Sequence, residues 1–245
     1  MTRPDELMRL LRSGDSARPR IIWHAPGERI ELSGRVLSTW VAKAADLLQE
    51  DLDAEVGTRV RLEGAPHWRL LVWALATWTV GGTVQTRDGS ERVDVLVADG
   101  ERLASGEVDA EAAEVVVGLT RAALARRSPV DLPDGVIDEA ATLLSYADEM
   151  EPYDRASDDD IALVADSPAG EIAYANLVGA GTADRIHVSG SVSLTEVLLA
   201  ATSAWAGGGS VVLTDPAWEA DHGGDPTSGA FADVLESEGV SAPRA

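Results

Sequence analysis

The chain reads as an α/β protein, a three-layer α/β/α sandwich around a largely parallel sheet. Strand-like and helix-like patterns alternate along most of its 245 residues. Residues 93–98 and 114–119 are near-continuous apolar runs of strand length, as in strands covered on both faces. The helix-like stretches around residues 67–80 and 193–206 stop at Gly81-Gly82 and Gly207-Gly208-Gly209, where glycine ends the periodic pattern. Together these features predict buried parallel strands joined by helical crossovers.

The elements follow in order. Residues 20–24 and 29–32 are short β-prone runs separated by Ala25-Pro26-Gly27-Glu28, a hairpin signal. Ser33 is placed to cap a helix over 34–50, where Leu37, Trp40, Val41, Ala44 and Leu48 recur at helical spacing. A strand over 58–62 leads to a helix with Pro66 in its first position. That helix is apolar on most faces, which predicts burial. A short strand at 83–86 follows. Residues 134–150 read as a helix, 161–165 as a buried strand, 185–188 as a strand, 193–206 as a helix, 211–214 as a strand and 230–238 as a last helix. The reading gives that helix hardly any following strand. Acidic loops punctuate the series without forming a linker, so one domain over 1–245 is expected, with a secondary division at 1–157 and 158–245.

Composition narrows the chemistry. There is no cysteine, which excludes disulfides, thiolate metal sites and a cysteine nucleophile. The formal charge is −22, and Lys43 is the single lysine. So acidic a surface repels phosphate backbones and anionic headgroups, so neither nucleic acid nor a membrane is expected as a partner. The first 14 residues lack the apolar run of a secretory signal, and the longest apolar run, residues 68–80, is too short to span a bilayer. A cytoplasmic location is expected.

Residues 28–86 carry a family resemblance. Arg29-Ile-Glu-Leu-Ser, a helix, then Val56-Gly-Thr-Arg-Val-Arg-Leu is similar to the opening of the adenylate-forming (AMP-binding, acyl-CoA synthetase-like) enzymes. Ala65-Pro66-His67-Trp68 through Val80-Gly81-Gly82-Thr83-Val84 resembles their next helix and turn. Asp158-Asp-Asp-Ile-Ala-Leu-Val resembles the strand before their phosphate loop. Asp184-Arg-Ile-His-Val-Ser-Gly-Ser, and Leu198 through Trp205-Ala-Gly-Gly-Gly-Ser-Val-Val-Leu, resemble the strand, helix and glycine turn around their substrate pocket. The resemblance preserves order over nearly the whole chain, to the N-terminal part of that superfamily only, and is strongest to short actinobacterial-type members.

The resemblance also marks where adenylation chemistry belongs. A Ser/Thr/Gly-rich phosphate loop ending in Pro-Lys-Gly is due after residues 161–165. Here stand Asp166, Ser167, Pro168, Ala169, Gly170 and Glu171, with one glycine, no lysine and two carboxylates. Carboxylates facing a triphosphate without basic compensation cost on the order of several kcal/mol. The family's aromatic-Gly-x-Thr-Glu segment, ribose-binding aspartate and C-terminal subdomain with its catalytic lysine have no counterpart. Lys43, expected to face solvent from the early helix, fits neither lysine role.

Other constellations are weaker. Gly179-Ala180-Gly181-Thr182-Ala183-Asp184 lacks the third glycine of a dinucleotide fingerprint and opens toward a strand, so a turn is expected. His24, His67, His187 and His222 show no metal-ligand spacing, and Asp221-His222-Gly223-Gly224-Asp225 and Asp158 to Asp160 read as solvated acidic loops. His187 and Ser189 share a strand face, and with Ser191 they form a candidate pocket wall; a hydrolase reading uses the same residues but lacks a G-x-S-x-G elbow. Trp40, Trp68, Trp73, Trp78 and Trp205 are expected in the core, with lining of an apolar or acyl pocket as the alternative. The expected function is small-molecule binding or protein interaction on a non-adenylating AMP-binding fold, with no catalytic residues, cofactor or metal. A small apolar or acyl ligand, a protein partner or a homodimer would be its counterpart. The alternatives are a ligase completed by another chain and the hydrolase.

Overall fold

The computed structural model describes residues 2–13, 15–87 and 91–243. In chain order come α1 (Leu7–Arg12), the hairpin β1 (Pro19–Ala25) and β2 (Glu28–Ser33), α2 (Gly34–Asp46), β3 (Arg59–Glu63), α3 (Trp68–Thr79), β4 (Thr83–Gln85), β5 (Val93–Asp99), α4 (Gly100–Ala104) and β6 (Ala113–Leu119). Then follow β7 (Ile137–Asp138), α5 (Glu139–Thr142), β8 (Ile161–Val164), β9 (Glu171–Ala173), α6 (Tyr174–Leu177), β10 (Arg185–Ser189), α7 (Leu194–Ala206), β11 (Ser210–Thr214), α8 (Pro216–Asp221), α9 (Gly229–Ser237) and β12 (Ala242–Pro243).

The strands divide between two sheets, ordered β12-β10-β11-β1-β2 and β7-β6-β5-β3-β4-β8-β9. Among the described residues only β2 and β9, both at edges, run antiparallel to their neighbours. The principal core joins Ile21, Trp23, Val211 and Leu213 of the first sheet to Val60, Leu62, Val95 and Val97 of the second through α1, α2, α3 and α7. Phe231, Leu235 and Trp218 of α8 and α9 cover the opposite face of the first sheet at Ile22 and Val212. Leu103 of α4 does the same for Leu96 and Ala98 of the second. The expected α/β/α sandwich therefore occurs twice, with the central helical layer shared.

Local chemistry explains most boundaries. Ser33 Oγ accepts from the Val36 amide to start α2, whose last turn, Leu47–Asp51, widens into a π-helix. Every residue of α3 is buried, as its all-round apolar pattern requires. Ser193 caps α7, and Glu196 reaches back to the Ser193 amide at 2.9 Å in a capping box.

Four expectations are corrected. α3 begins at Trp68 rather than Pro66, because His67 is the cap: the Arg69 amide donates to its Nδ1 at 3.3 Å. The helix expected over 134–150 is instead β7, the short α5 and a 3-10 turn at Leu143–Ser145. Ile137, inside that expected helix, belongs to a strand paired with Val117, and the Asp138 carboxylate starts the helix only after itself by accepting from the Ala140 and Ala141 amides. Lys43 does not face solvent: its ammonium donates to the Tyr146 carbonyl and pairs with Asp148 at 2.8 Å. A strand does follow the last helix, since β12 pairs with β10 at Ile186 and His187.

Candidate functional site

In parallel α/β sheets the carboxyl ends of the strands are where ligands bind, because loops there are free to vary over a rigid base. The two sequence-marked regions lie at such ends, in different sheets.

The first is the turn between β8 and β9. It closes on itself: the Ala165 amide donates to the Gly170 carbonyl at 2.9 Å, and the Ala169 and Gly170 amides donate to the Asp166 carbonyl at 3.1 and 3.3 Å. Gly170 makes the reversal at φ +62°, in the left-handed region open to glycine. Asp166, Ser167, Pro168 and Glu171 are exposed, and Ala169 and Gly170 half-buried. Tyr174 anchors the hairpin by donating its hydroxyl proton to the Gly82 carbonyl at 2.7 Å, and burial holds that phenol well above its ordinary pKa. Three of the turn's amides, those of Ala165, Ala169 and Gly170, are engaged with its own carbonyls, and Pro168 has no N–H to offer.

The second is the end of β10. His187 Nε2 lies 2.9 Å from Thr214 Oγ1, the Thr214 hydroxyl donates to Glu219 at 2.5 Å, and the Ser189 hydroxyl donates to the other Glu219 oxygen at 2.9 Å. The Ser191 amide donates to Ser189 Oγ at 3.1 Å. Glu219, on α8, thus gathers the strand-end hydroxyls, a role that spacing along the chain gave no sign of. His187 is 2% exposed and meets Phe231 of α9 edge-on at 5.3 Å. Burial lowers its pKa, against the pull of Glu219. A serine nucleophile needs its base within reach; here the imidazole is bonded to Thr214 and the Ser189 hydroxyl to a carboxylate.

A third group, unmarked as a site in the sequence, ties the segment after β6 to α3. Arg69 and Glu139, each 1% exposed, pair through Nη1 at 3.1 Å to both carboxylate oxygens. The guanidinium lies 4.5 Å from the Trp68 ring centre and 5.2 Å from that of Trp40, and the Trp73 indole N–H donates to Glu139 at 3.4 Å. Burial pushes the Glu139 carboxyl up, against the pull of Arg69. The tryptophans Trp68, Trp73, Trp78 and Trp205 are buried and Trp40 is half-buried. Trp78 and Trp205 donate to the Ala162 and Arg20 carbonyls at 2.8 and 3.0 Å, so they pack the core while satisfying their polar edges. Among the described residues no group of three or more His, Asp or Glu side chains is gathered as a metal site. Nor is any helix among them long and apolar enough to cross a membrane.

Two sheets sharing a helical layer, with a hairpin at the end of β8 and a polar strand end at β10, define the fold of the N-terminal part of the adenylate-forming, acyl-CoA synthetase-like enzymes. An acyl-CoA synthetase from Brucella canis superposes over 99% of this chain and 47% of its own, with a TM-score of 0.73 and 16% identity. Acetoacetyl-CoA synthetase from Streptomyces lividans matches 87% of this chain and 38% of its own, at TM-score 0.69 and 18% identity. Coronafacic acid ligase from Pectobacterium brasiliense matches 99% and 49%, at TM-score 0.69 and 14% identity. By sequence the chain is similar to a Mycobacterium tuberculosis protein, the "TIGR03089 family protein", with 31% identity over 142 residues. That match takes in 56% of this chain and 58% of the relative, so the chain spans less than two thirds of the proteins it resembles. No family model matches it.

Proposed function

We propose that this chain is a binding or interaction protein built on the adenylate-forming fold, and that it does not activate substrates with ATP. The observation that carries the reading is the β8–β9 turn. Its amides at Ala165, Ala169 and Gly170 are taken up by its own carbonyls, and its side chains include Asp166 and Glu171. Phosphoryl-type catalysis depends on positioned donors and cations around the phosphates. The turn itself holds no lysine, and Lys43 is tied on α2 to Tyr146 and Asp148. A small apolar or acyl molecule or a protein is the partner class that this reading favours, in the cytoplasm. Isothermal titration of the protein with ATP and magnesium tests it: no heat of binding at millimolar nucleotide is expected, and tight magnesium-dependent binding would sink the proposal.

A second reading rests on coverage, because the chain spans only 47% of the Brucella synthetase. In it, another polypeptide completes a ligase together with this chain. Pyrophosphate exchange measured on the chain alone and with candidate partners decides the matter; silence in every combination removes this reading.

A further inference from the structure

Among the described residues three arginines are almost fully buried: Arg20 at 6%, Arg61 at 4% and Arg69 at 1% exposure. A buried cation without compensating negative charge is costly, so each needs a source of it. Arg69 has Glu139. Arg20 donates through Nη1 to the Gly208 and Gly209 carbonyls, in the turn just past the negative end of the α7 dipole. Arg61 has neither. Among the described residues no carboxylate lies within 4.0 Å of it, its one hydrogen bond is from Nη2 to the Glu91 carbonyl at 2.5 Å, and its buried Nε has no partner.

Arg61 stands near the carboxyl end of β3, paired in register with Gln85 of β4, whose buried Nε2 is also unsatisfied. Arg61 lines a small cavity of about 120 Å³ together with Glu63, Gly64, Thr86, Arg87 and Leu194. The acidic member of that wall, Glu63, faces Arg102 at 3.5 Å. Thr86 adds a hydroxyl, 2.7 Å from Thr195 Oγ1, and Arg87 a second guanidinium, which is paired with the Glu91 carboxylate at 2.7 Å. The cavity is large enough for one carboxylate or phosphate group and too small for a triphosphate.

We propose that this cavity binds a single small oxyanion, a carboxylate or phosphate group, with Arg61 as its buried counter-charge and Arg87 at its mouth. Guanidinium groups suit such anions because their planar N–H donors match two oxygens at once. The site is distinct from the turn at residues 166–171, and it stands whether or not nucleotide binds there.

The test compares melting temperatures of the wild-type protein and Arg61→Met in sodium chloride, phosphate, sulfate or acetate, at matched ionic strength and millimolar anion. Low concentrations avoid the general stabilisation that sulfate and phosphate give all proteins. At about ten times its Kd the preferred anion is expected to raise the wild-type melting temperature by about 3–6 °C, saturably. Arg61→Met is expected to lose that response while melting no lower than wild type in chloride, since it removes an uncompensated charge. The ranking of phosphate, sulfate and acetate identifies the head group. Should Arg61→Met not fold, Arg87→Ala at its more exposed position is read by titration calorimetry, with affinity for the same anion expected to fall threefold or more. Identical melting in all four salts, or a full anion response in Arg61→Met, overturns the proposal. Neither result bears on the β8–β9 turn, which magnesium–ATP titration tests separately.

Discussion

Arg69 and Glu139 illustrate how a single pair of residues holds distant segments together. The pair joins the first turn of α3 to the start of α5, and both charges are out of water. Removing one partner leaves the other buried and uncompensated, so Glu139→Ala is expected to cost about 3–5 kcal/mol in urea denaturation. The double variant Arg69→Met, Glu139→Leu is expected to recover most of that loss, and additive losses would contradict this account. The buried histidines carry the pH dependence. Burial lowers the pKa of His24, His67 and His187 below 6.5. The unfolded chain therefore binds protons first as pH falls, and the stability these neutral rings contribute is full above about pH 6.5 and lost below it. The urea midpoint is expected to drop steadily from pH 7.5 to 5.5, and His187→Gln to flatten the slope; a midpoint constant over that range contradicts the assignment.

Elements meet through contacts that the periodic pattern alone does not contain. Gly34 opens α2 where a Cβ would stand 2.3 Å from the Leu11 carbonyl oxygen, on the helix packed against it. Because the obstacle is backbone, Gly34→Ala has no side chain to push aside and is expected to cost about 1–3 kcal/mol, read as a lowered denaturation midpoint. An unchanged midpoint would mean that α1 shifts freely. The strands and helices that stand alone in sequence, such as α2, α3, α7 and β5, were legible because burial of one face or all faces is written into their apolar spacing. The segment from 134 to 150 was not, since Ile137 and Ala140 keep helical spacing while one sits in a strand and the other in a four-residue helix. Short elements of this kind are set by neighbours, here β6 and Arg69, and local spacing carries little information about them.

At the scale of the molecule, the expected homodimer is a proposal with a defined test. The exposed large apolar side chains among the described residues are Val36, Leu124, Leu144 and Tyr153, with Leu124 94% exposed. Light scattering at high concentration is expected to give a dimer that Leu124→Asp weakens, and a monomer throughout would end the idea. The α/β class, the parallel strands, the order of the longer elements and the acidic turn after β8 followed from the amino-acid sequence by itself, because each depends on residues close together in the chain. Tertiary structure alone decided that the strands form two sheets around shared helices, that Glu219 collects Thr214 and Ser189, and that Arg61 is buried with no carboxylate partner among the described residues. Those outcomes depend on which surfaces meet across tens to hundreds of residues, and burial, which converts a surface arginine into a costly internal charge, exists only once the chain has folded.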